Sequence, residues 1–502
     1  MSEGSRKIEC MFDTVFAGAA DDALVGAIEQ AAREEAQASA RRLAAIAELV
    51  HRTVEEDDAR GRWAFDPWNN TAARVGAALS VGQRRASGQM RIAVALRDRL
   101  PGVAALFFRG VISARVVSEI SWRTHLVDSD ELIALIDKAI AERAVRWGPL
   151  SEVQLGRAID SEIEWHDPDA VRRSKEVIRT RDFHIGGNED PNEVTAVWGR
   201  LSAPDAAVLQ RRISTMVAGV CDGDPRSVGE RWADALGALG NGNHHLSCRC
   251  SAPQCPAAEA ATSNVVIRVI ADQAAVDAAR ELIAAENAER QAPDARPAPD
   301  RGISKNCGAA LLPGRGVVPT AVLAEAIRGG AKVARLWLPG AEPETGYRPS
   351  ARLAEFIRVR DMFCRFPNCD VPADRCDIDH VIPWPLGPTH PSNLNCKCRT
   401  HHLMKTFWGG PEGWSDSQLP DATVIWTAPD GRTYATRPGS RLFFPWWNTG
   451  TADLPPPTSD PPTVRDRSAM MPRRRRTRAV ETAAHIKAER ALNNLRPQNS
   501  PR

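Results

Sequence analysis

The chain has 502 residues, 43% hydrophobic and 25% charged, with a formal net charge of +2. This is ordinary for a soluble globular protein with room for two or three cores. No apolar run reaches the roughly 18 residues a helix needs to cross a bilayer, so a membrane span is excluded. The first residues, MSEGSRKIECMFD, carry no apolar secretion core, so a cytoplasmic protein is expected. Most of the eleven cysteines fall in C-x-C, C-x4-C and C-x2-H groupings. In a reducing compartment such spacing points to metal rather than disulfides. The small net charge hides an asymmetry. From Arg465 to Arg502 there are eleven Lys/Arg against three Asp/Glu, a surplus of +8 that leaves −6 on the rest. A basic tail on a mildly acidic body suits a polyanion partner.

Residues 21–58 read as one long helix. Leu24, Ile28, Ala31, Leu43, Ile46, Val50 and Val54 recur near a 3.6 period, and Asp21 or Asp22 can cap it. The stripe fits a helix packed on its own domain, and it is also narrow enough for a homodimer through paired N-terminal helices. Helical patterning continues over residues 70–167, broken at Pro101-Gly102 and Gly148-Pro149, with Asp128 or Ser129 as a cap. Over residues 177–201 the period shortens, and VIRTRDFHI and VTAVWGRL predict a small β-hairpin. Helices return at 204–220 and 227–239. Next, Cys248, Cys250 and Cys255 with His244 or His245 nearby leave two readings open, a zinc site and reduced cysteines in a loop. Val265 to Ile270 reads as a buried strand.

These patterns divide the chain. Residues 1–280 form a mostly helical region, and 281–347 a linker with a short helix at 320–328. A compact α+β module follows at 348–447, and a Pro-rich, basic tail without fixed structure at 448–502. In the module, Ser350 caps a helix over 350–362 whose Arg358 and Arg360 are candidate phosphate contacts. Arg473, Arg474, Arg475 and Arg476 in the tail are further candidates. TVIWTAPDGRTYAT predicts a hairpin turned at Pro429-Asp430-Gly431.

The most informative stretch runs from Cys364 to Trp414. Cys364 and Cys369 form a C-x4-C pair, and Cys398 with His401 a C-x2-H pair. Thiolates and an imidazole at such spacing suit a closed tetrahedral zinc site. Interleaved with them lie Asp379-His380, Asn393, His402 and Lys405, a carboxylate and imidazoles suited to a harder cation and to water activation. Cys376 is an alternative zinc ligand to His401, and Cys396 reads as core. Adjacent side chains on a helix point in different directions, so His401 and His402 are expected to serve different sites.

The order Asp379-His380, Asn393, His402, Lys405, set among the two Cys/His pairs, resembles the HNH (ββα-metal) endonuclease motif in its zinc-ribbon subtype. With Arg348-Pro349 before it and Gly409-Gly410 after it, the run is similar to a bacterial mobile-element repeat family in which a helical domain of unknown function precedes the nuclease module. The resemblance implies a metal-dependent DNA endonuclease. Asp379 and His402 would hold one catalytic divalent cation. His380 would be the general base, Asn393 would fix the loop, and Lys405 would contact a phosphate. Cys364, Cys369, Cys398 and His401 would hold a structural zinc. Mg²⁺ is favoured for the catalytic ion, with Mn²⁺, Ni²⁺ or Zn²⁺ open through the imidazole ligand. A decayed, catalytically inactive zinc-stabilised DNA-binding protein is the alternative.

Overall fold

A computed structural model describes residues 15–145, 147, 150–171, 182–186, 195–201, 203–250, 252, 255, 257, 269–291, 308–312, 316–328, 331–410, 413–454 and 470–494. Among the described residues, the N-terminal region begins with the α-helices α1 (Asp21–Thr53), α2 (Pro67–Leu79), α3 (Gln83–Asp98), α4 (Pro101–Phe108), α5 (Ala114–Arg123), α6 (Asp130–Ala144) and α7 (Glu152–His166). Local chemistry fixes their starts. Asp66 accepts from Asn69 N with Pro67 in the first turn, and Ser113, Ser129 and Ser151 cap α5, α6 and α7. Each such cap satisfies an otherwise orphaned N–H. Asp137 of α6 caps α4 across the bundle, accepting from Gly102 N at 2.7 Å and Val103 N at 3.0 Å.

The apolar stripes meet in one core that includes Leu43, Ile46, Met90, Phe107, Ile120, Ile136 and Ile159. Thus the second half of the α1 stripe packs on its own domain, whereas Val25 and Ile28 are exposed. The small hairpin is present as β1 (Asp182–Ile185) against β2 (Val197–Arg200), antiparallel. Helices α8 (Ala203–Ala218) and α9 (Val228–Gly240) follow, the latter capped by Ser227 and Glu230. Then α10 (Gln273–Gln291) and α11 (Thr320–Arg328) pack together beside short strands β3 (Ile270–Ala271), β4 (Ala310–Leu312) and β5 (Gly316–Val317). The expected division at 280/281 therefore falls inside a helix, and the linker reading of 281–347 is corrected over 281–291, which α10 occupies. Residues 292–307 of that stretch lie outside the described residues, as do 265–268 of the expected strand and 187–194 of the expected hairpin.

The C-terminal module comprises α12 (Ala351–Asp361), capped by Ser350, then hairpin strands β6 (Cys376–His380) and β7 (Leu394–Cys398), then α13 (Arg399–Phe407). A three-stranded antiparallel meander, β8 (Ser415–Gln418), β9 (Val424–Thr427) and β10 (Thr433–Thr436), lies beside them, and the short α14 (Ser440–Phe443) closes the module. The predicted hairpin is β9–β10, with Gly431 at φ 80° in its turn. The described residues are thus mostly helical, with small antiparallel sheets, and among them no helix is long and apolar enough to cross a membrane.

The module and the helical region share a core. Trp63, Phe65, Ala73 and Ala77 pack in one cluster with Phe366, Trp414 and Trp426. Trp408 Nε1 donates to Phe65 O at 3.0 Å, and Trp414 Nε1 to Asn70 Oδ1 at 3.1 Å. The tail corrects another expectation. Residues 455–469 lie outside the described residues, but Arg478–Asn494 is a helix, α15, laid on the N-terminal region. Arg490 pairs with Asp167 at 2.7 Å, and Asn493 donates to Asp169 O and Val171 O.

Candidate metal and active site

Two constellations flank the β6–β7 hairpin. At one end, Cys364 follows α12 and Cys369 closes a tight turn in which Asn368 takes the left-handed conformation (φ 58°). Asparagine tolerates that region better than other non-glycine residues. Cys398 ends β7, and His401 sits in the first turn of α13. The candidate ligand atoms of these four residues lie within 4.8 Å of one another, and three of the residues are buried. His401 Nδ1 is 3.2 Å from Cys398 Sγ and 3.4 Å from Cys364 Sγ, while Phe366 stacks on its ring at 4.0 Å. Crowding sets the thiols against one another. Burial pushes the Cys364 thiol up, yet hydrogen bonds from Cys369, Cys376, Cys398 and His401 hold it well below its ordinary value. The hydrogen bond to Cys364 drives Cys369 far above it. A central cation resolves the conflict, because it lets every thiol ionise. The set fits a metal. Cys376 neighbours Cys364 but is not among the four mutually close ligands, its thiol also lying 3.4 Å from Pro372 O, and Cys396 is fully buried core.

At the other end, β6 delivers Asp379 and His380, and α13 delivers His402 and Lys405. His402 Nε2 lies 3.5 Å from Asp379 Oδ1, and His402 Nδ1 lies 2.8 Å from Asp377 Oδ2. His401 and His402 thus face different sites. Asn393 ties the intervening loop to itself. Its Oδ1 accepts from Ile382 N at 2.8 Å, and its Nδ2 donates to Ile382 O and Pro388 O.

The surroundings of His380 fix its tautomer. Thr389 Oγ1 donates its single proton to Gly346 O at 2.6 Å, so it accepts from His380 Nε2–H at 2.9 Å. The lone pair is left on Nδ1. Tyr347 stacks on the ring at 5.4 Å and 13°. Burial lowers the imidazole pKa, and the neighbouring Asp379 only partly offsets this. The ring is therefore neutral near pH 7 and able to take a proton.

Asp379 sits in a charged cluster that the sequence did not announce. Its Oδ2 is 2.8 Å from Lys405 Nζ and 3.1 Å from Lys397 Nζ, and both lysines also reach Asp416. Burial would raise the Asp379 carboxyl, but Lys397, Lys405 and His402 hold it well below the usual range, so it is ionised. Lys405 Nζ also donates to His380 O at 2.5 Å and Val381 O at 3.2 Å. Its protons are consumed within the protein, so the expected phosphate contact gives way to a role in holding the end of β6. Lys397 occupies a fully buried strand position. Thr389 and Asp416 also lack any spacing signal, because only folding brings them to the site.

Two of the six expected phosphate arginines are reassigned. Arg360 is fully buried and donates to Asp361, Pro391 O and Leu394 O, so it is part of the scaffold. Arg358 is half-buried on the same helix. Arg474 pairs with Asp66. Arg473, Arg475 and Arg476 are exposed. The upstream cysteines are also brought together. Cys248, Cys250 and Cys255 are joined by Cys221 rather than by His244 or His245, which are both exposed.

The family described as "Domain of unknown function (DUF222)" matches residues 30–361, a span that ends just before Cys364. The chain is similar to two proteins of Mycobacterium tuberculosis along nearly all of its length. Uncharacterized protein MT2160 (strain CDC 1551 / Oshkosh) is 52% identical over 500 residues, covering 96% of this chain and 90% of that protein. Uncharacterized protein Rv3776 (strain H37Rv) is 51% identical over 485 residues, covering 96% and 91%. A shorter relative from the same species, "Uncharacterized protein in est 3'region", is 48% identical over 340 residues, covering 67% of this chain and 95% of its own length. No solved structure matches the chain.

Proposed function

The chain belongs to the DUF222 family, and from that footing we propose that it is a cytoplasmic, metal-dependent endonuclease that hydrolyses DNA phosphodiester bonds. The observation that carries this reading is the convergence of Asp379, His380 and His402 at one end of a hairpin-then-helix unit, with Asn393 closing the loop between them. The order and placement agree with those expected of an HNH module. Asp379 and His402 would hold one divalent cation, with Mg²⁺ favoured and Mn²⁺, Ni²⁺ or Zn²⁺ as alternatives. That ion supplies charge stabilisation to the phosphate and to the departing 3′ oxygen. His380 Nδ1, unprotonated because Nε2–H is given to Thr389, takes the proton of the attacking water. Tyr347 and Thr389 keep the ring in that orientation, and Asn393 keeps the loop from carrying it away. At the opposite end, Cys364, Cys369, Cys398 and His401 would hold a structural zinc that fixes the start of α13, and through it His402.

A second reading has its own observation. Two lysine ammoniums already neutralise Asp379, and such an arrangement suits a decayed site in a zinc-stabilised DNA-binding protein. A plasmid-nicking assay with Mg²⁺, Mn²⁺ or chelator, run beside His380→Ala, separates the two. Divalent-dependent nicking that disappears in the variant supports the enzyme. Salt-sensitive DNA binding with no nicking in any metal supports the binding protein.

A further inference from the structure

We propose that Cys221, Cys248, Cys250 and Cys255 form a second metal site, which takes one zinc ion through four thiolates. The proposal does not rest on the endonuclease reading. The four sulfurs come from two segments 27 residues apart, the end of the α8 turn and the loop after α9, yet all lie within 4.8 Å of one another. Cys221 Sγ is 3.3 Å from Cys248 Sγ, and Cys250 N donates to Cys248 Sγ at 3.4 Å. Each sulfur neighbours the other three, as one tetrahedral centre requires. Two separate disulfides would instead draw pairs to about 2.05 Å. All four are soft donors, which select zinc over magnesium or calcium.

The site is built on a framework that uses none of its own ligands. Asp224, whose side chain is buried, accepts from Arg226 N at 3.0 Å, from Arg226 Nη2 at 2.7 Å and from Arg249 N at 2.8 Å. Arg226 in turn donates to Ser247 O at 2.7 Å and pairs with Asp234 of α9 at 2.7 Å. This network ties the Cys221 loop to the Cys248–Cys250 loop and holds the sulfurs close before any ion arrives. The unit also gains from a staple, for among the described residues its buried core is small: Ile213, Met216, Val220, Ala235, Leu246 and Cys248. So small a core contributes little stability unaided. A bound ion makes binding energy into folding energy.

The test is elemental analysis of the reduced, full-length chain. Wild type should carry two zinc ions, and Cys364→Ser/Cys398→Ser should retain one at the proposed site. Cys221→Ser/Cys255→Ser should lose the upstream ion and keep the other. Unchanged zinc in Cys221→Ser/Cys255→Ser, or no zinc left in a folded Cys364→Ser/Cys398→Ser, would overturn the proposal. Should a variant unfold and lose both ions, cobalt titration of wild type decides instead. Its sulfur-to-metal charge-transfer intensity should correspond to seven thiolates. Intensity for only three, or a protein mass short by the hydrogen pairs that disulfides remove, would overturn it.

Discussion

Asp361 ties together several segments of the module, and replacing it with alanine tests the architecture directly. Its carboxylate is fully buried. It accepts from Arg360 Nε at 2.8 Å, Arg365 Nη1 at 2.9 Å and Cys396 N at 2.8 Å. The two arginines in turn brace distant segments. Arg360 donates to Pro391 O and Leu394 O beside Asn393, and Arg365 to Ala422 O and Thr436 O in the meander. Asp361→Ala leaves two buried guanidiniums without a counter-charge and orphans a β7 amide. Removing one member of a buried ion pair costs about 3–5 kcal/mol. That is a large share of the roughly 5–15 kcal/mol that holds a typical domain folded. Urea unfolding followed by tryptophan fluorescence reports on this module, because Trp414 and Trp426 are buried in its core. The expected result is a loss of about 3–5 kcal/mol, with Asp361→Asn losing less because it keeps an acceptor. The pH dependence has a definite sign. Burial would raise this carboxyl, but Arg360 and Arg365 and the Cys396 amide hold it below its ordinary value of 3.8. A depressed carboxylate contributes stability that is fully present above that ordinary value and is lost as pH falls through its own lower one. Wild type and Asp361→Asn should therefore converge only below pH 3.8. A loss under about 1 kcal/mol for Asp361→Ala at neutral pH would refute the reasoning, since so small a cost is that of a solvent-exposed pair.

The other expected outcomes concern the two ends of the hairpin and the tail. In a nicking assay, His380→Ala should lose about 10²–10⁴-fold while leaving the cation ligands in place. Thr389→Val should show a smaller loss and a shifted pH profile, because the tautomer of His380 is no longer fixed. Asp379→Ala and His402→Ala should recover part of their activity at raised metal concentration, and the absence of any recovery would count against their role as ligands. Cys364→Ser/Cys398→Ser should lose the module's zinc, detected by elemental analysis, together with its cooperative unfolding transition. Arg473, Arg475 and Arg476 changed together to alanine should flatten the salt dependence of DNA binding by about 0.9 per lost phosphate contact. Arg474→Ala should instead lower the melting temperature, since its partner Asp66 is buried at the start of α2.

The sequence by itself determined what local chemistry can encode. Helix starts were legible where a Ser cap acts within three residues, as Ser129 and Ser350 do, whereas α1 starts after Ala20 without the side-chain cap expected from Asp21 or Asp22. The module's Cys/His cluster was legible because its ligands come in two short-range pairs, Cys364/Cys369 and Cys398/His401. The different surroundings of His401 and His402 followed from adjacent positions on one helix. What needed the tertiary structure was every contact between segments far apart in the chain. Cys221 carries no spacing signal, and only the Asp224–Arg226 framework brings it to Cys248. Lys397 reads as a misplaced charge in a strand until Asp379 and Asp416 close around it. Arg360 and Arg474 read as surface cations for a phosphate, whereas burial beside Asp361 and pairing with Asp66 make them internal ties. A side chain's charge is written in the sequence. Whether that charge meets water, a phosphate or a buried carboxylate depends on which distant segments the apolar core draws together, and hydrophobic burial has no direction of its own to record in a local pattern.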